Sequence, residues 1–182
     1  MSGRFFVAAD LDEPGRDFVA GAIERLQAAG LDARFVAREK WHATLAFLGK
    51  VDADQYSAIV EALSAAAASR PPFEMTLDAI GAFPSQRKPR VVWIGSSREE
   101  PAFAACASAV RDALAPLGFP FDDDAVAHVT VSRIKHPTKA LPEPILPEGV
   151  RVRVDSLTLY ESVRGGSTTR YEVRERLPLR RS

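Results

Sequence analysis

Two stretches of this chain, 86 residues apart, carry one short pattern on an apolar ground. They are Trp41-His42-Ala43-Thr44-Leu45-Ala46-Phe47-Leu48 and Ala127-His128-Val129-Thr130-Val131-Ser132. Side chains alternate faces along an extended strand, so residues i and i+2 project together. His42 and Thr44 therefore share one face, as do His128 and Thr130, while Ala43, Leu45, Val129 and Val131 turn the other way. The same ungapped shift lays Arg4-Phe5-Phe6-Val7 on Arg90-Val91-Val92-Trp93, Leu31 on Leu117 and Phe35 on Phe121. The helical stretches between these anchors match loosely, about one residue out of step. A repeated strand, helix and His-x-Thr strand predicts two lobes related by a pseudo-twofold, with the two imidazole faces across a shared cleft.

At 182 residues the chain suits one compact domain over 1–182 with two small lobes around a common core. Strands outnumber helices and their order is mixed, which predicts an α+β fold: two mainly antiparallel sheets lining the cleft, helices outside. Residues 4–9 read as a buried strand. Asp12 suits the cap of a first helix, with Pro14 in its first turn, a stripe of Phe18, Ala22, Ile23 and Leu26, and Gly30 at its end. Residues 34–37 are expected to pair briefly before the His42 strand. Asp52 and Gln55 resemble a capping box for a second helix carrying Tyr56, Ile59, Val60 and Leu63. Strands are expected at 73–82 and 90–95, joined by a loop from Pro84 to Pro89, and a third helix from Pro101. Residues 136–149 hold four prolines and read as an irregular loop. Residues 151–163 and 170–179 suggest a closing hairpin around Gly165-Gly166-Ser167.

The formal net charge is zero, which argues against wide, indiscriminate nucleic-acid binding but not against recognition of one phosphate end. No apolar run is long enough to span a membrane, and the opening residues lack a signal-peptide layout. The lone Cys106 forms no internal disulfide and has no adjacent base, so an inert core thiol and a cytoplasmic setting are expected. No exposed heptad or apolar patch is evident, which predicts a monomer.

All three histidines have threonine two residues on, although the chain has only seven threonines; this argues against coincidence. The third set, His136-Pro137-Thr138, has no apolar strand around it and reads as loop. Basic clusters at Arg34/Arg38/Lys40 and Arg133/Lys135/Lys139 flank the two strands, making Arg38, Lys40 and Arg133 candidate substrate contacts. Strict alternation, however, puts Arg133 on the face opposite His128 unless a bulge brings it back. Phe47 and Trp41 are placed opposite His42, in the core. Two histidines without a third ligand at a recognisable spacing make a poor zinc site, so no metal is expected.

These residues fit one chemistry. Two imidazoles can divide the roles of acid and base near neutral pH, and Thr44 and Thr130 can donate hydrogen bonds to phosphate oxygens. Arg4-Phe5-Phe6-Val7-Ala8, His42 to Gly49, Pro89-Arg90-Val91-Val92-Trp93, His128 to Arg133 and Ser156 to Ser162 resemble the 2H phosphoesterases. More narrowly they resemble the bacterial RNA 2′,3′-cyclic phosphodiesterases, also called 2′-5′ RNA ligases. The resemblance implies a bilobal fold and metal-independent, cofactor-free hydrolysis of cyclic phosphate RNA ends to 2′-phosphates. It also implies His42 as proton donor, His128 as proton acceptor, and a minor reverse ligation. The alternatives are a phosphodiesterase on a small cyclic nucleotide derivative, such as ADP-ribose cyclic phosphate, and a non-catalytic RNA-end binding module.

Overall fold

The computed structural model describes residues 3–137, 139–165 and 168–180. Strand β1 (Gly3–Asp10) leads into helix α1 (Glu13–Ala28), which begins as the sequence predicts: the Asp12 carboxylate accepts from the Gly15 amide at 2.9 Å. Phe18, Val19, Ala22, Ile23 and Leu26 are its buried stripe, and Gly30, at φ 91°, lets the chain turn away. Next come β2 (His42–Val51), α2 (Tyr56–Ala68), β3 (Phe73–Leu77), β4 (Ala79–Ser85), β5 (Lys88–Gly95), α3 (Pro101–Leu114) and β6 (His128–Arg133). After the proline-rich stretch, which holds no regular element among its described residues, follow β7 (Val150–Val154), β8 (Ser156–Gly165) and β9 (Thr168–Pro178).

The class is α+β with antiparallel sheets, as expected. The larger sheet has the order β4-β5-β6-β2-β1-β8-β9, and β3 pairs with β7 in a second, two-stranded sheet. The large sheet's halves, β4-β5-β6 and β2-β1-β8-β9, meet through a single residue pair, Ala43 with Val129. The first of these halves is built from consecutive strands, whereas the second joins the N-terminal β2 and β1 to the C-terminal β8 and β9. Phe103, Val110, Leu26 and Leu63 from the helices pack on Leu45, Val129, Ile94 and Leu159 from the strands in one apolar core.

Several local expectations change in the folded chain. The predicted strands at 73–82 and 151–163 each break, at Asp78 and Asp155, because their two parts pair in different sheets. Pro84 and Pro89 lie opposite each other in the β4–β5 ladder; Pro84 is tolerated because β4 is an edge strand, and Pro89 because β5 there lies beyond its last pair with β6, Val91 with Arg133. Residues 34–37 form no strand of their own; Phe35 makes an isolated bridge to Ser132 of β6. Gln55 accepts from the Asp52 amide at 3.2 Å, yet α2 starts only at Tyr56, with Gln55 itself as its cap residue and no side chain capping the helix amides. The β8–β9 hairpin forms, although its turn residues Gly166 and Ser167 lie outside the described residues. The repeat also needs a correction. His42 and His128 are 86 apart, but Asp10 faces His42 while Gly95 faces His128, so β1 and β5 correspond at 85. One residue is lost between the strands of the second half, within the stretch that matched loosely.

Candidate active site

The Ala43–Val129 pair brings the two His-x-Thr strands side by side. Antiparallel register then sets His42 opposite Thr130 and Thr44 opposite His128, and all four line one cleft of about 540 Å³. Each imidazole is fixed in the same way. The His42 Nδ1 lies 2.7 Å from the Lys40 carbonyl and the His128 Nδ1 2.8 Å from the Val126 carbonyl. A carbonyl only accepts, so Nδ1 carries the hydrogen and Nε2 keeps its lone pair. Two neutral imidazoles and two hydroxyls thus converge on one cavity, which suits transfer of a proton on each side of a phosphate.

The direction of Arg133 is decided by a bulge. Trp93 pairs with Thr130 but Val92 with Ser132, so Val131 is an extra residue on β6. Val131 and Ser132 are both buried, alternation restarts, and Arg133 joins His128 and Thr130 on the cleft wall. Residues 34–36 brace the bulge: the Val36 amide donates to the Val131 carbonyl at 2.8 Å and the Ser132 hydroxyl to the Arg34 carbonyl at 2.9 Å. β2 repeats the device. Ala8 pairs with Thr44 but Val7 with Ala46, leaving Leu45 extra, and here the Arg111 guanidinium from α3 donates to the Leu45 carbonyl at 3.0 Å. The bulge overturns the placement of Phe47, which is 66% exposed and lines the cleft instead of the core. Trp41 is buried as expected, its indole N–H donating to the Val36 carbonyl.

The surroundings of the two imidazoles differ. His42 sits among Phe6, Tyr160 and Tyr171, with ring centroids 4.8, 6.0 and 5.5 Å away; His128 meets Phe83 at 5.2 Å and Trp93 at 6.3 Å. Burial pushes both imidazoles below their ordinary value, and the carbonyl each one bonds opposes the shift. Arg133 lowers both further, and His128 adds to the lowering at His42. Only His42 gains from a carboxylate, Asp10. Asp10 accepts from the Thr158 hydroxyl at 2.7 Å and the Tyr160 hydroxyl at 2.5 Å, with Arg176 at 3.4 Å. Burial, and then the bond to Asp10, push the Tyr160 phenol well above its usual range.

The remaining candidates divide. Lys40 lines the cleft, with its ammonium on the Thr169 carbonyl. Arg38 does not: its guanidinium is held by Glu13 and Asp17 of α1, both at 2.9 Å, and it points away from the imidazoles. His136 is an exposed loop residue away from the cleft, and Thr138 lies outside the described residues. Cys106 is buried, its thiol pushed up to about 11 by desolvation. A larger hollow of about 890 Å³ lies between α3 and the 118–125 loop, but it contains neither histidine, and its Arg111 is tied to backbone carbonyls. Among the described residues no group of three His, Cys, Asp or Glu could hold a metal ion, and no helix is long and apolar enough to cross a membrane. Sequence reasoning passed over Arg4, Phe6 and Tyr171 as cleft residues, and over Tyr160, which stacks on Phe6 behind them. For Arg4 and Phe6 the one local signal was the even-numbered face of β1, which the apolar odd face hid; Tyr160 and Tyr171, on β8 and β9, reach the site only through the pairing of those strands.

Residues 10–93 match the LigT-like phosphoesterase family. A relative from Archaeoglobus fulgidus named RNA 2′,3′-cyclic phosphodiesterase is 39% identical over 72% of this chain and 73% of its own length. The chain belongs to the LigT-like phosphoesterases. A Thermotoga maritima phosphodiesterase of the same name is 33% identical over 87% of this chain and 86% of its own. The crystal structure of E. coli LigT complexed with 3′-AMP superposes with a TM-score of 0.78 at 28% identity, covering 98% and 99% of the two chains. The LigT-like, or 2H, phosphoesterase fold thus places the paired His-x-Thr strands of this chain at the centre of its sheet.

Proposed function

We propose that this LigT-like phosphoesterase opens RNA 2′,3′-cyclic phosphate ends to 2′-phosphomonoesters, without a metal, as a monomeric domain spanning 1–182 with two pseudo-symmetric lobes. One observation carries the reading: two imidazoles on neighbouring strands, each with Nδ1 held by the carbonyl two residues back and Nε2 left for the cleft. His128, neutral, takes a proton from water as the water oxygen attacks phosphorus. His42, protonated, gives its proton to the departing 3′ oxygen, leaving a 3′-hydroxyl and a 2′-phosphate. Thr44 and Thr130 hydrogen-bond the non-bridging oxygens, and Arg133 and Lys40 offset charge that grows in the transition state. The assignment of His42 as the acid is supported by Asp10, whose negative charge favours the imidazolium on that side alone. The anionic phosphate, on entering, favours it further. Reversal, with a 5′-hydroxyl in place of water, would make a 2′-5′ linkage as a minor activity.

The test is hydrolysis, in EDTA, of a short RNA ending in a 2′,3′-cyclic phosphate. Conversion to a 2′-phosphate by the native chain, falling by ~10²–10⁴-fold in His42→Ala and in His128→Ala, is expected. Full activity in both variants would overturn the mechanism, and tight binding without turnover would favour an RNA-end binding module. A small cyclic nucleotide derivative is the second reading, favoured by a cleft whose volume lies within the range of single-ligand pockets.

A further inference from the structure

The β1 register arranges the cleft face in rows, because residues opposite each other in an antiparallel pair project to the same side. Asp10 stands opposite His42 and Ala8 opposite Thr44, the rows of the reacting phosphate. Phe6 stands opposite Phe47 on one side and Tyr160 on the other, an aromatic row with Phe6 and Tyr160 rings stacked at 5.1 Å. Arg4 then stands opposite Lys50 and Ser162. Four strand residues separate the Ala8 and Arg4 rows, about 13 Å of backbone at ~3.3 Å per residue. The long, flexible stems of Arg4 and Lys50 can close part of that distance. Arg4 lines the same cleft as the histidines. Among the described residues, neither Arg4 nor Lys50 forms an ion pair with a carboxylate: Glu161, the nearest acid on β8, lies opposite Phe5 and is paired with Arg174.

The other lobe lacks this feature. The register that makes Gly95 the counterpart of Asp10 makes Pro89 the counterpart of Arg4, which has no charge to offer. Arg4 on the cleft wall and Lys50 beside it in the same row, with no acid paired to either among the described residues, distinguish that row from its Pro89 counterpart in the other lobe, whose cleft cation, Arg133, stands one row nearer the histidines.

We propose that Arg4 and Lys50, one row beyond the Phe6–Phe47 layer, form a second phosphate subsite that takes the phosphodiester on the 5′ side of the terminal nucleotide. The nucleoside then lies across the aromatic row with a phosphate at each end of it. This inference rests on the function proposed above and deepens it: the substrate is an oligonucleotide end, not a cyclic mononucleotide, and the histidines act on whatever end the subsite delivers. The subsite works through binding alone and touches none of the reacting atoms.

The decisive experiment compares three substrates: uridine 2′,3′-cyclic phosphate, the dinucleotide ApU 2′,3′-cyclic phosphate, and the same dinucleotide with an uncharged methylphosphonate linkage. The native chain is expected to favour the phosphodiester dinucleotide over the methylphosphonate by at least about tenfold in kcat/KM. Arg4→Ala and Lys50→Ala should each compress that ratio, and each should reduce the slope of log(kcat/KM) against log[salt] for the charged dinucleotide by about one. A variant that is merely misfolded would lower all three substrates together and leave the ratio standing. A native ratio near one, or a ratio that survives in the double variant, overturns the subsite. If the native chain opens none of the three, the hydrolytic reading fails. Equilibrium binding of the same compounds then decides the subsite by the same ratio: preference for the charged linkage, lost in the variants, upholds it, and equal binding overturns it.

Discussion

Two histidines with identical backbone anchors differ by one neighbour. Asp10 sits across the β1–β2 ladder from His42, whereas Gly95, with no side chain, sits across from His128. The charged groups acting on His42 are Asp10, which favours its protonation, and Arg133 and His128, which oppose it; Arg176 on the far side of Asp10 tempers the carboxylate. Removing the Asp10 charge takes away a raising influence and so moves the His42 value further down. If His42 is the acid that must be protonated, the alkaline limb of the pH–rate profile reports it. Asp10→Asn should therefore shift that limb to lower pH and cost more activity at pH 8 than at pH 6, while the acid limb, set by His128, stays in place. An alkaline limb that does not move, with a uniform loss across pH, would show that Asp10 only holds Tyr160 and Thr158. None of this asymmetry could be seen in the repeat, because the ungapped alignment set Asp10 against Ser96 rather than Gly95.

Among the elements, the two bulged strands carry the site. An extra residue in each, Leu45 and Val131, turns the position five after the histidine back towards the cleft, so Phe47 and Arg133 line it. A bulge leaves a backbone group without its ladder partner, and the two halves meet that need differently. Val131 is served by the Val36 amide, Leu45 by the Arg111 side chain. Arg111→Met keeps much of the aliphatic stem but removes the guanidinium, which lies over the Phe121 ring, and leaves the buried Leu45 carbonyl unpaired at a cost of about 1–3 kcal/mol. In a chain of this length that corresponds to a fall in melting temperature of a few degrees or more, measured by thermal unfolding. Turnover should fall with it, since the bulge holds Phe47 and Thr44 in their alternation. Unchanged melting and unchanged kcat/KM would mean that the bulge holds without Arg111. The helices were legible from their caps and stripes, Asp12 and Phe18 to Leu26 above all, since those signals are local. The strands were legible only up to Thr44 and Thr130, because a bulge is a backbone event that Val131 and Leu45 do not advertise.

For the whole molecule, the distance between the two imidazoles is set by one contact, Ala43 with Val129, both fully buried beneath the cleft. The small Ala43 side chain lets the core pack closely under the junction of the two half-sheets. Ala43→Leu adds three carbons at a fully buried position, which costs about 1–3 kcal/mol by overpacking. It should remain folded at 25 °C with a lowered melting temperature, yet lose more than about tenfold in kcat for a cyclic phosphate, because displaced strands misalign the two proton-transfer groups. A variant that unfolds more readily but turns over normally would show that the junction does not govern the separation of His42 and His128.

The sequence by itself determined the candidate chemistry and the parts: which residues can move protons, which hydroxyls accompany them, where α1 and α3 start, and that the His-x-Thr strand occurs twice. Each of these is written in neighbours a few positions apart, through period-two alternation, caps and composition. Only the tertiary structure decided how the parts face each other. It joined the halves at one residue pair, split two predicted strands between sheets, and turned Arg133 and Phe47 into the cleft. It also folded Arg38 onto the acids of α1 and set Arg4 with Lys50 beyond the aromatic row. Those outcomes depend on register and on partners from tens of residues to more than a hundred away, from Asp17 for Arg38 to Ala8 for Thr158. No local pattern encodes them, because burial and pairing are settled by the packed whole.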